Sequence, residues 1–489
     1  MARRVVVVGA GLGGLACALR LAAEGEDVTV VEREDVPGGR AGLLERDGYR
    51  FDTGPTVLTM PDLIRDTFAA AGEDMDDWLT LTPLDPLYRA HYPDGSTLDV
   101  VAGTDAMAAE VERVCGAREA AGYRRYVDFV STLYRLEMAD FIDRNVDSPL
   151  DLLTPSLARL AALGAFRRLA PKVGQYLEDP RTRRILSFQS MYAGLSPYDA
   201  LAVYAVIAYM DSVAGVYAPA GGMHAVPRAL AGAAEKHGVT FRYGTRVTSV
   251  TTRDGRATGV LTEHGDHLAA DVVVLNPDLP VAYRELLPPE ATPRRVRTLR
   301  YSPSCFLLLA GSTARYERIA HHNLHFGRAW RSTFAELIDQ RVPMSDPSVL
   351  VTCPTTTDAS LAPPGRQSYY VLVPTPNTDG RVDWNATRDR YRDEVLRHLE
   401  RLGYVGFADA IEVEDVTTPY DWRARGMERG TPFAAAHTFF QTGPFRPANV
   451  APKVGGVVFT GSGTVPGVGV PMVLVSGRLA AERVLRGRG

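Results

Sequence analysis

The N-terminal residues combine two apolar runs with one helical repeat. Val5–Val8 and Val28–Val31 are short apolar runs typical of buried strands. Between them, apolar residues recur at helical spacing, and Gly25 supplies a stop signal before the second run. The members of this repeat are Leu15, Ala18, Leu19 and Ala22. The pattern predicts strand, helix and parallel strand, the repeating unit of an α/β fold.

A glycine-rich turn joins the first predicted strand to the helix. Gly9 allows the tight turn, Gly11 lets the backbone approach a pyrophosphate, and Gly14 lets the helix lie close to the strand. Glu32 ends the second strand, where it can accept hydrogen bonds from both ribose hydroxyls, and its charge disfavours a 2'-phosphate. We therefore predict a dinucleotide site formed by Gly9, Ala10, Gly11, Gly14, Glu32 and Arg33.

The next residues favour a flavin over a nicotinamide. Gly38 and Gly39 return the chain toward the pyrophosphate, where Arg40 offers a charged, forked donor. With Phe51–Pro55, this segment resembles the FAD superfamily of amine oxidases, polyene desaturases and Rab-escort proteins. The resemblance implies FAD, with Gly39, Arg40, Gly54 and Pro55 among its contacts.

The C-terminal segment is predicted to return to the same site. An apolar strand at 457–459 precedes a loop rich in glycine, and a helix is expected from Pro471 to about Arg486. In a flavoprotein, backbone N–H groups and a helix N-terminus at this point face the flavin pyrimidine and stabilise negative charge on the reduced ring. The contacts expected here are Gly461, Gly463, Gly467, Gly469 and Val470.

These elements predict a Rossmann-type α/β FAD-binding domain of the glutathione-reductase and amine-oxidase kind. It is discontinuous, formed by residues 1–65, 215–289 and 450–489. Its middle segment opens a helix at 218–223 that continues through Lys236, and alternating strands follow at 240–243, 246–252, 257–262 and 267–275, with Val247 at the cofactor. Residues 66–214 and 290–449 remain for an interleaved, mixed α+β domain that binds the substrate and faces the membrane.

Two apolar stretches of that second domain are typical of a site for a hydrophobic substrate. Leucines at helical spacing and four basic residues predict an amphipathic helix near 151–175, which lies either in an anionic membrane surface or against the core. The segment 201–210 is apolar nearly all round and either lines a tunnel or belongs to the core.

Composition narrows the function classes. The net charge of −4 and pI near 6.2 give no basic footprint for nucleic acid, so none is expected to bind. The four cysteines are widely separated, which favours free thiols in a reducing cytoplasm and no metal site. No signal peptide is expected, nor any apolar run of about eighteen residues that could span a membrane. We therefore predict a cytoplasmic protein whose membrane contact is peripheral.

Further segments make the resemblance specific. The chain as a whole is similar to the bacterial-type phytoene desaturases of carotenoid biosynthesis. The matching segments are 188–194, 217–223, 321–323, 369–374 and 441–449. The resemblance implies FAD, a long polyene hydrocarbon, stepwise insertion of double bonds toward lycopene, and quinone or oxygen as electron acceptor.

A hydrocarbon substrate limits the chemistry, because no carbonyl acidifies its C–H bonds. Our hypothesis is hydride loss from an allylic C–H to flavin N5, followed by proton loss. The expected proton acceptor is missing, since Val465 replaces a residue that is often polar in the family. Ser462 stands where a small apolar residue is usual. Asp151 resembles an acidic position of relatives and is the one catalytic candidate, although Thr154 replaces an accompanying arginine and a helix N-cap is the alternative role.

Several functions share these motifs. The nearest alternatives are another polyene desaturase, a carotenoid isomerase or a saturase. A more distant class is a non-enzymatic escort protein that holds prenyl lipids, although such a protein would not need an intact cofactor site. Amine oxidation is disfavoured by the scarcity of lysine.

Overall fold

A parallel sheet organises one part of the computed structural model, which describes residues 2–146, 151 and 154–487. Five strands from distant parts of the chain pair in parallel in this sheet. In spatial order they are Thr240–Arg242, Asp27–Val31, Arg4–Val8, Val272–Leu275 and Val457–Phe459. The valine-rich strand Arg4–Val8 is central because both of its faces are covered.

Three helices pack against this sheet in one apolar core: Leu12–Ala23, Ala225–Lys236 and Val470–Leu485. The first and last lie in close contact, since a Cβ built on Gly477 would be 2.6 Å from the carbonyl oxygen of Gly13. The helix expected to open at 218–223 begins later, at Ala225. Val216–Pro219 is a strand, and Gly221 and Gly222 turn the chain at positive φ.

A three-stranded antiparallel sheet lies beside it, formed by Val247–Arg253, Arg256–Thr262 and His267–Ala269. The single strand expected over 267–275 is divided in two. Its second part, Val272–Leu275, leaves this sheet and pairs with the central parallel strand.

A mixed seven-stranded sheet is the second large sheet of the described chain. Its spatial order is Ile411–Thr417, Ser304–Ser312, Gln367–Thr375, Val349–Thr352, His322–His325, Tyr88–His91 and Thr97–Val100. Smaller sheets pair Leu43–Arg46 with Tyr49–Asp52, and Val216–Pro219 with Leu58–Thr59 and Leu81–Pro83.

The other α-helices surround these sheets. They are Pro61–Ala69, Thr104–Cys115, Ala117–Glu137, Pro155–Leu163, Leu169–Val173, Pro180–Ile185, Val206–Ser212, Leu279–Val281, Arg294–Arg297, Arg331–Phe334, Trp384–Arg401 and Pro419–Ala424. Short 3-10 or π turns that bear on the site are Met138–Ile142, Phe188–Ala193, Ala202–Ala205, Phe439–Gln441 and Gly443–Phe445. The predicted domain boundaries remain predictions.

The single amphipathic helix expected over 151–175 is instead two short helices. Pro155–Leu163 ends because Gly164 adopts a left-handed conformation at φ +77°, and a second helix follows at Leu169–Val173. Leucines of both helices pack into the core, while Arg159, Arg167 and Arg168 are exposed. Leu152 and Leu153 lie outside the described residues.

Candidate active site

The glycine turn is packed around Asn276, which ends a neighbouring strand. A Cβ on Gly11 would lie 2.5 Å from the Asn276 side-chain oxygen, and one on Gly14 would lie 2.2 Å from the carbonyl oxygen of Gly9. Gly9 itself has φ +99°. A larger residue at Gly14 therefore collides with the backbone of the turn, and one at Gly11 collides with the Asn276 side chain. Asn276 is a supporting residue whose role the sequence motif did not reveal.

Glu32 is buried and connects the two halves of the nucleotide fingerprint. Its carboxylate accepts hydrogen bonds from the backbone N–H of Ala10 at 2.6 Å and of Glu34 at 3.0 Å. Burial raises its pKa above the ordinary glutamate value. Arg33 is exposed at the rim of the same cavity, where it donates to the carbonyl of Arg425.

The second glycine loop lies directly against the first. Gly38 N–H donates to Ala10 O at 2.9 Å, and a Cβ on Gly39 would be 3.3 Å from the Cα of Gly11. Arg40 donates to the Ser462 hydroxyl and forms an ion pair with buried Asp278 at 3.4 Å. Arg40 thus connects this loop to the C-terminal loop. Ser462, the unusual residue of that loop, supplies the acceptor.

Gly54, Pro55 and Val247 line the same cavity as Gly9, Gly11 and Glu32. A Cβ on Gly54 would lie 1.9 Å from the carbonyl oxygen of Arg40, so this glycine is required by the loop packing. Ala10 and Gly14 are buried behind the cavity wall.

The C-terminal loop continues the cavity wall. Gly461 lies against Asn276, and its N–H donates to the Ser476 hydroxyl at 3.0 Å. Gly469 and Val470 begin the last helix at the cavity. Gly463 and Gly467 are absent from the cavity lining among the described residues, and they accommodate Leu279 and His437 respectively.

Two helix N-termini therefore open onto one cavity, at Gly11 and at Gly469. Neither is capped by its own side chain. Free N–H groups at such positions favour anionic groups.

Arg446 supports the C-terminal loop from behind. Its buried guanidinium donates to Thr464 O at 2.9 Å and to Ser462 O at 2.5 Å. Longer bonds reach Gln441 O at 3.3 Å and Ala435 O at 3.5 Å. Burial lowers the pKa of Arg446 to about 10, which leaves the group charged at neutral pH. The segment 441–449 stood out in the sequence, but the contact that explains it did not.

One cavity of about 1420 Å³ joins these glycine loops to the second sheet. Beyond the loops its wall is mostly aliphatic and aromatic. Lining residues there include Phe141, Leu160, Phe188, Tyr192, Leu201, Val203, Val206, Ile207, Met210, Leu324, Leu350 and Phe445. The apolar segment 201–210 thus both lines the cavity and contributes its alanines to the core.

A few ionisable groups interrupt this apolar wall. Burial raises the pKa of Glu137 well above its usual range and that of Asp211 to about 7. Burial lowers the pKa of His322 to about 3 and, with nearby Arg446, holds that of His437 well below its usual value. Glu137 Oε1 and His437 Nε2 have no hydrogen-bond partner in the described part of the chain. The sequence analysis singled out only His322 of these four.

The predicted catalytic residue Asp151 is half-buried and does not line the cavity as described. Its neighbours 147–150, 152 and 153 lie outside the described residues, so its role stays a prediction. Nowhere in residues 2–146, 151 and 154–487 do three or more His, Cys, Asp or Glu residues form a group that could hold a metal ion. Over the same residues, no helix has the length and apolar character needed to cross a membrane.

The residues present fit FAD. Paired glycine loops bring the backbone to the cavity without Cβ atoms, two helix N-termini offer N–H groups, and Glu32 stands where the ribose is expected. Gly9, Gly11, Gly39, Arg40 and Gly461 would hold the cofactor.

Known proteins of similar sequence or fold indicate what kind of site this is. The model of the flavin-containing amine oxidoreductase family matches residues 12–485. A phytoene dehydrogenase of Streptomyces griseus is 56% identical over 98% of this chain and 94% of its own length. A zeta-carotene-forming phytoene desaturase of Myxococcus xanthus is 41% identical, over 99% and 94%. Cyclohexylamine oxidase from Brevibacterium oxydans has a similar fold, with TM-score 0.61, 17% identity and 99% coverage of both chains.

Proposed function

Because the chain belongs to the flavin-containing amine oxidoreductase family, we propose that this FAD-dependent oxidoreductase desaturates phytoene. The single observation that supports this substrate most is the continuous cavity. It leads from the glycine loops into a wall of aliphatic and aromatic side chains, which suits a long hydrocarbon. The names of the two carotenoid relatives point the same way.

The residues of this chain would contribute by holding the substrate in position and by stabilising charge near the cofactor. FAD, when bound, supplies the acceptor for a hydride from an allylic C–H bond. Val203, Ile207 and Leu350 hold the extended substrate by apolar contact and exclude water from the reacting carbon atoms. The N-terminus of the helix Val470–Leu485 stabilises negative charge at the cofactor end of the cavity.

We propose stepwise desaturation toward lycopene. Each step shortens the flexible part of the substrate, and a wall that is mostly aliphatic and aromatic lets the chain slide to present its next saturated bond. One relative is named as a zeta-carotene-forming phytoene desaturase, and in this chain we propose that the cavity sets the length of the product. Quinone or oxygen is the proposed electron acceptor.

We also propose that the protein takes phytoene from the cytoplasmic membrane surface as a peripheral protein. The side chains of Phe439 and Phe440 are 51% and 72% exposed to solvent. Both rings contact each other and the ring of Phe445. Phe439 and Phe445 also line the cavity, so this aromatic cluster connects the cavity to the surface. The exposed Arg295 donates to the carbonyl of Phe440. Aromatic side chains beside arginines match an anionic membrane surface.

Amine oxidation is the alternative suggested by the solved structures of similar fold. An amine needs a polar anchor for its cation, and burial raises the pKa of the Glu137 carboxyl, which disfavours the charged form that would pair with a cation. Oxidation of a water-soluble amine by the purified protein would exclude the polyene proposal.

The decisive experiment is incubation of the FAD-loaded protein with phytoene in liposomes, followed by chromatography of extracted pigments. Lycopene or shorter polyenes are expected, and their distribution counts the steps. Unchanged phytoene, with FAD bound and an acceptor present, would refute the proposed substrate.

A further inference from the structure

His322 belongs to a row of side chains that the seven-stranded sheet directs into the cavity. Side chains alternate along a strand, so His322 and Leu324 stand on the same face of the sheet. Leu324 pairs with Leu350, which pairs with Leu372 on the next strand. All four residues line the cavity, whereas the neighbouring His321 does not line it as described. The imidazole of His322 is therefore the polar member of an otherwise aliphatic row.

The ring of His322 is held by a short chain of hydroxyl groups. Its Nδ1 is 2.9 Å from the Thr352 hydroxyl, which donates its hydrogen to the Thr56 hydroxyl at 3.2 Å. Because that hydrogen is used, Nδ1 carries the hydrogen of the bond to Thr352, and the neutral ring has its lone pair on Nε2. The Tyr88 ring stands edge-on to the imidazole, with centroids 6.4 Å apart. These contacts fix both the tautomer and the orientation of the ring.

The Nε2 atom of His322 is open to the cavity. It has no hydrogen-bond partner among the described residues, yet it is not sealed inside the protein as the unpaired Nε2 atoms of His321 and His437 are. His322 is only 6% exposed and lines the cavity, so the free side of this nitrogen faces the cavity. Burial lowers the pKa of the ring to about 3, which keeps the lone pair available at neutral pH.

Thr56 connects this histidine to the predicted cofactor contacts. It directly follows Gly54 and Pro55 in the chain and lines the same cavity. Gly54 packs so closely on the second glycine loop that a Cβ there would lie 1.9 Å from the carbonyl oxygen of Arg40. Two hydrogen bonds lead from Thr56 to the imidazole of His322. The ring therefore stands where the apolar wall approaches the cofactor loops.

The other ionisable groups of the cavity are less suited to accept a proton from a substrate. Burial raises the pKa of the Glu137 carboxyl well above its usual range, which requires a protonated acid at neutral pH rather than a base. Asp211 already accepts hydrogen bonds from Ser212 and Gln189. The unpaired nitrogen of His437 is fully buried.

We propose that Nε2 of His322 accepts the proton that the substrate loses after its hydride, an inference that rests on the proposed function. The first C–H bond gives its hydrogen and both electrons to FAD. The neighbouring C–H bond then breaks, its electron pair becomes the new π bond, and the proton bonds to Nε2. A polyene cation is a far stronger acid than imidazolium, so a weak base suffices. The imidazolium gives the proton to water when the product leaves the cavity, which restores the base.

His322→Asn tests this role, because the asparagine amide can keep the bond to Thr352 but has no nitrogen at the position of Nε2. We expect bound FAD per protein and the flavin spectrum to match the wild type, while phytoene conversion falls about 100-fold or more. His321→Asn is the matched control, since His321 is also buried and pairs its Nδ1 with the Thr357 hydroxyl at 2.8 Å. The control should convert phytoene at the wild-type rate. Wild-type conversion by His322→Asn would overturn the proposal.

A deuterium isotope effect separates the chemical role from a packing role. With deuterium on the carbon that loses the proton, the isotope effect should be larger in His322→Asn than in the wild type, because proton loss has become slower. An unchanged isotope effect would mean that His322 serves packing only, and it would overturn the proposal.

Should His322→Asn fail to hold FAD, His322→Ala is assayed with and without imidazole at matched FAD content. Added imidazole can enter the space left by the ring, since that space opens onto the cavity. Recovery with imidazole supports the proposal, and no recovery overturns it. If the wild type leaves phytoene unchanged in these assays, the proposed function fails instead.

Discussion

Arg446→Met is expected to loosen the C-terminal glycine loop and release FAD. The substitution keeps much of the side-chain volume but removes every donor. Two short hydrogen bonds, to Ser462 O and Thr464 O, are lost from the loop. Both carbonyls then lack the donor that the guanidinium supplied inside the protein.

The expected change in unfolding free energy is the difference between two contributions, the hydrogen bonds that Arg446 donates and the cost of dehydrating its guanidinium. Hydrogen bonds from a charged donor contribute about 1.5–3 kcal/mol each, so two short ones contribute about 5 kcal/mol. The guanidinium is also dehydrated, and lowering its pKa from 12.5 to about 10 corresponds to a cost of about 3 kcal/mol. Hydrogen bonding outweighs dehydration, and we expect the variant to lose about 2 kcal/mol of unfolding free energy.

Urea unfolding and the ratio of bound FAD to protein check this prediction. Arg297→Met is the matched control, because Arg297 is exposed and makes one bond, to Pro289 O at 3.2 Å. The control should lie within about 0.5 kcal/mol of the wild type and retain FAD. Equal or greater stability of Arg446→Met would show that dehydration dominates and that the loop holds its shape unaided.

Three further predictions use other parts of the site. Glu32→Ala removes the acceptor for Ala10 N–H and should lower FAD per purified protein; unchanged flavin content would contradict the assignment. Burial raises the Asp211 pKa from 3.8 to about 7, so the wild type should gain stability relative to Asp211→Asn as pH falls from 7 to 4, by about 3 kcal/mol. A pH-independent difference in unfolding free energy would refute this shift. Phe440→Ser should weaken cosedimentation with anionic vesicles roughly 10-fold or more, whereas Val405→Ser, an exposed control, should bind as the wild type does.

The parallel sheet and its glycine turns could be predicted from patterns among residues that are close in sequence. Each requirement there involves neighbours in sequence: a valine run, a glycine at a tight turn, and an acid at the next strand end. The expected helix over 151–175 failed on one residue, Gly164, because leucine spacing alone does not reveal a break. The ends of the parallel strands were predicted to within a position or two, except for the strand expected over 267–275, which begins at Val272.

Long-range contacts explain what the sequence could not reveal. Asn276 has a role only because five glycines pack around its side chain. Asp211 and Glu137 become unusual only through burial, which depends on segments far away in the chain. His437 stood in no recognisable motif. Gly467 makes room for that ring, and its predicted contact with the cofactor stays a prediction.

Neighbouring strands of the parallel sheet are synthesised at widely separated times. The central strand Arg4–Val8 leaves the ribosome first, its neighbour Val272–Leu275 follows much later, and the edge strand Val457–Phe459 comes almost last. The loop and helix that close the flavin end come after that strand. A nascent chain therefore carries an incomplete cofactor cradle, with apolar surface uncovered, until the last of these segments has been synthesised. FAD capture has to wait for that segment, which makes the free FAD concentration in the cell a determinant of how much chain matures and how much aggregates.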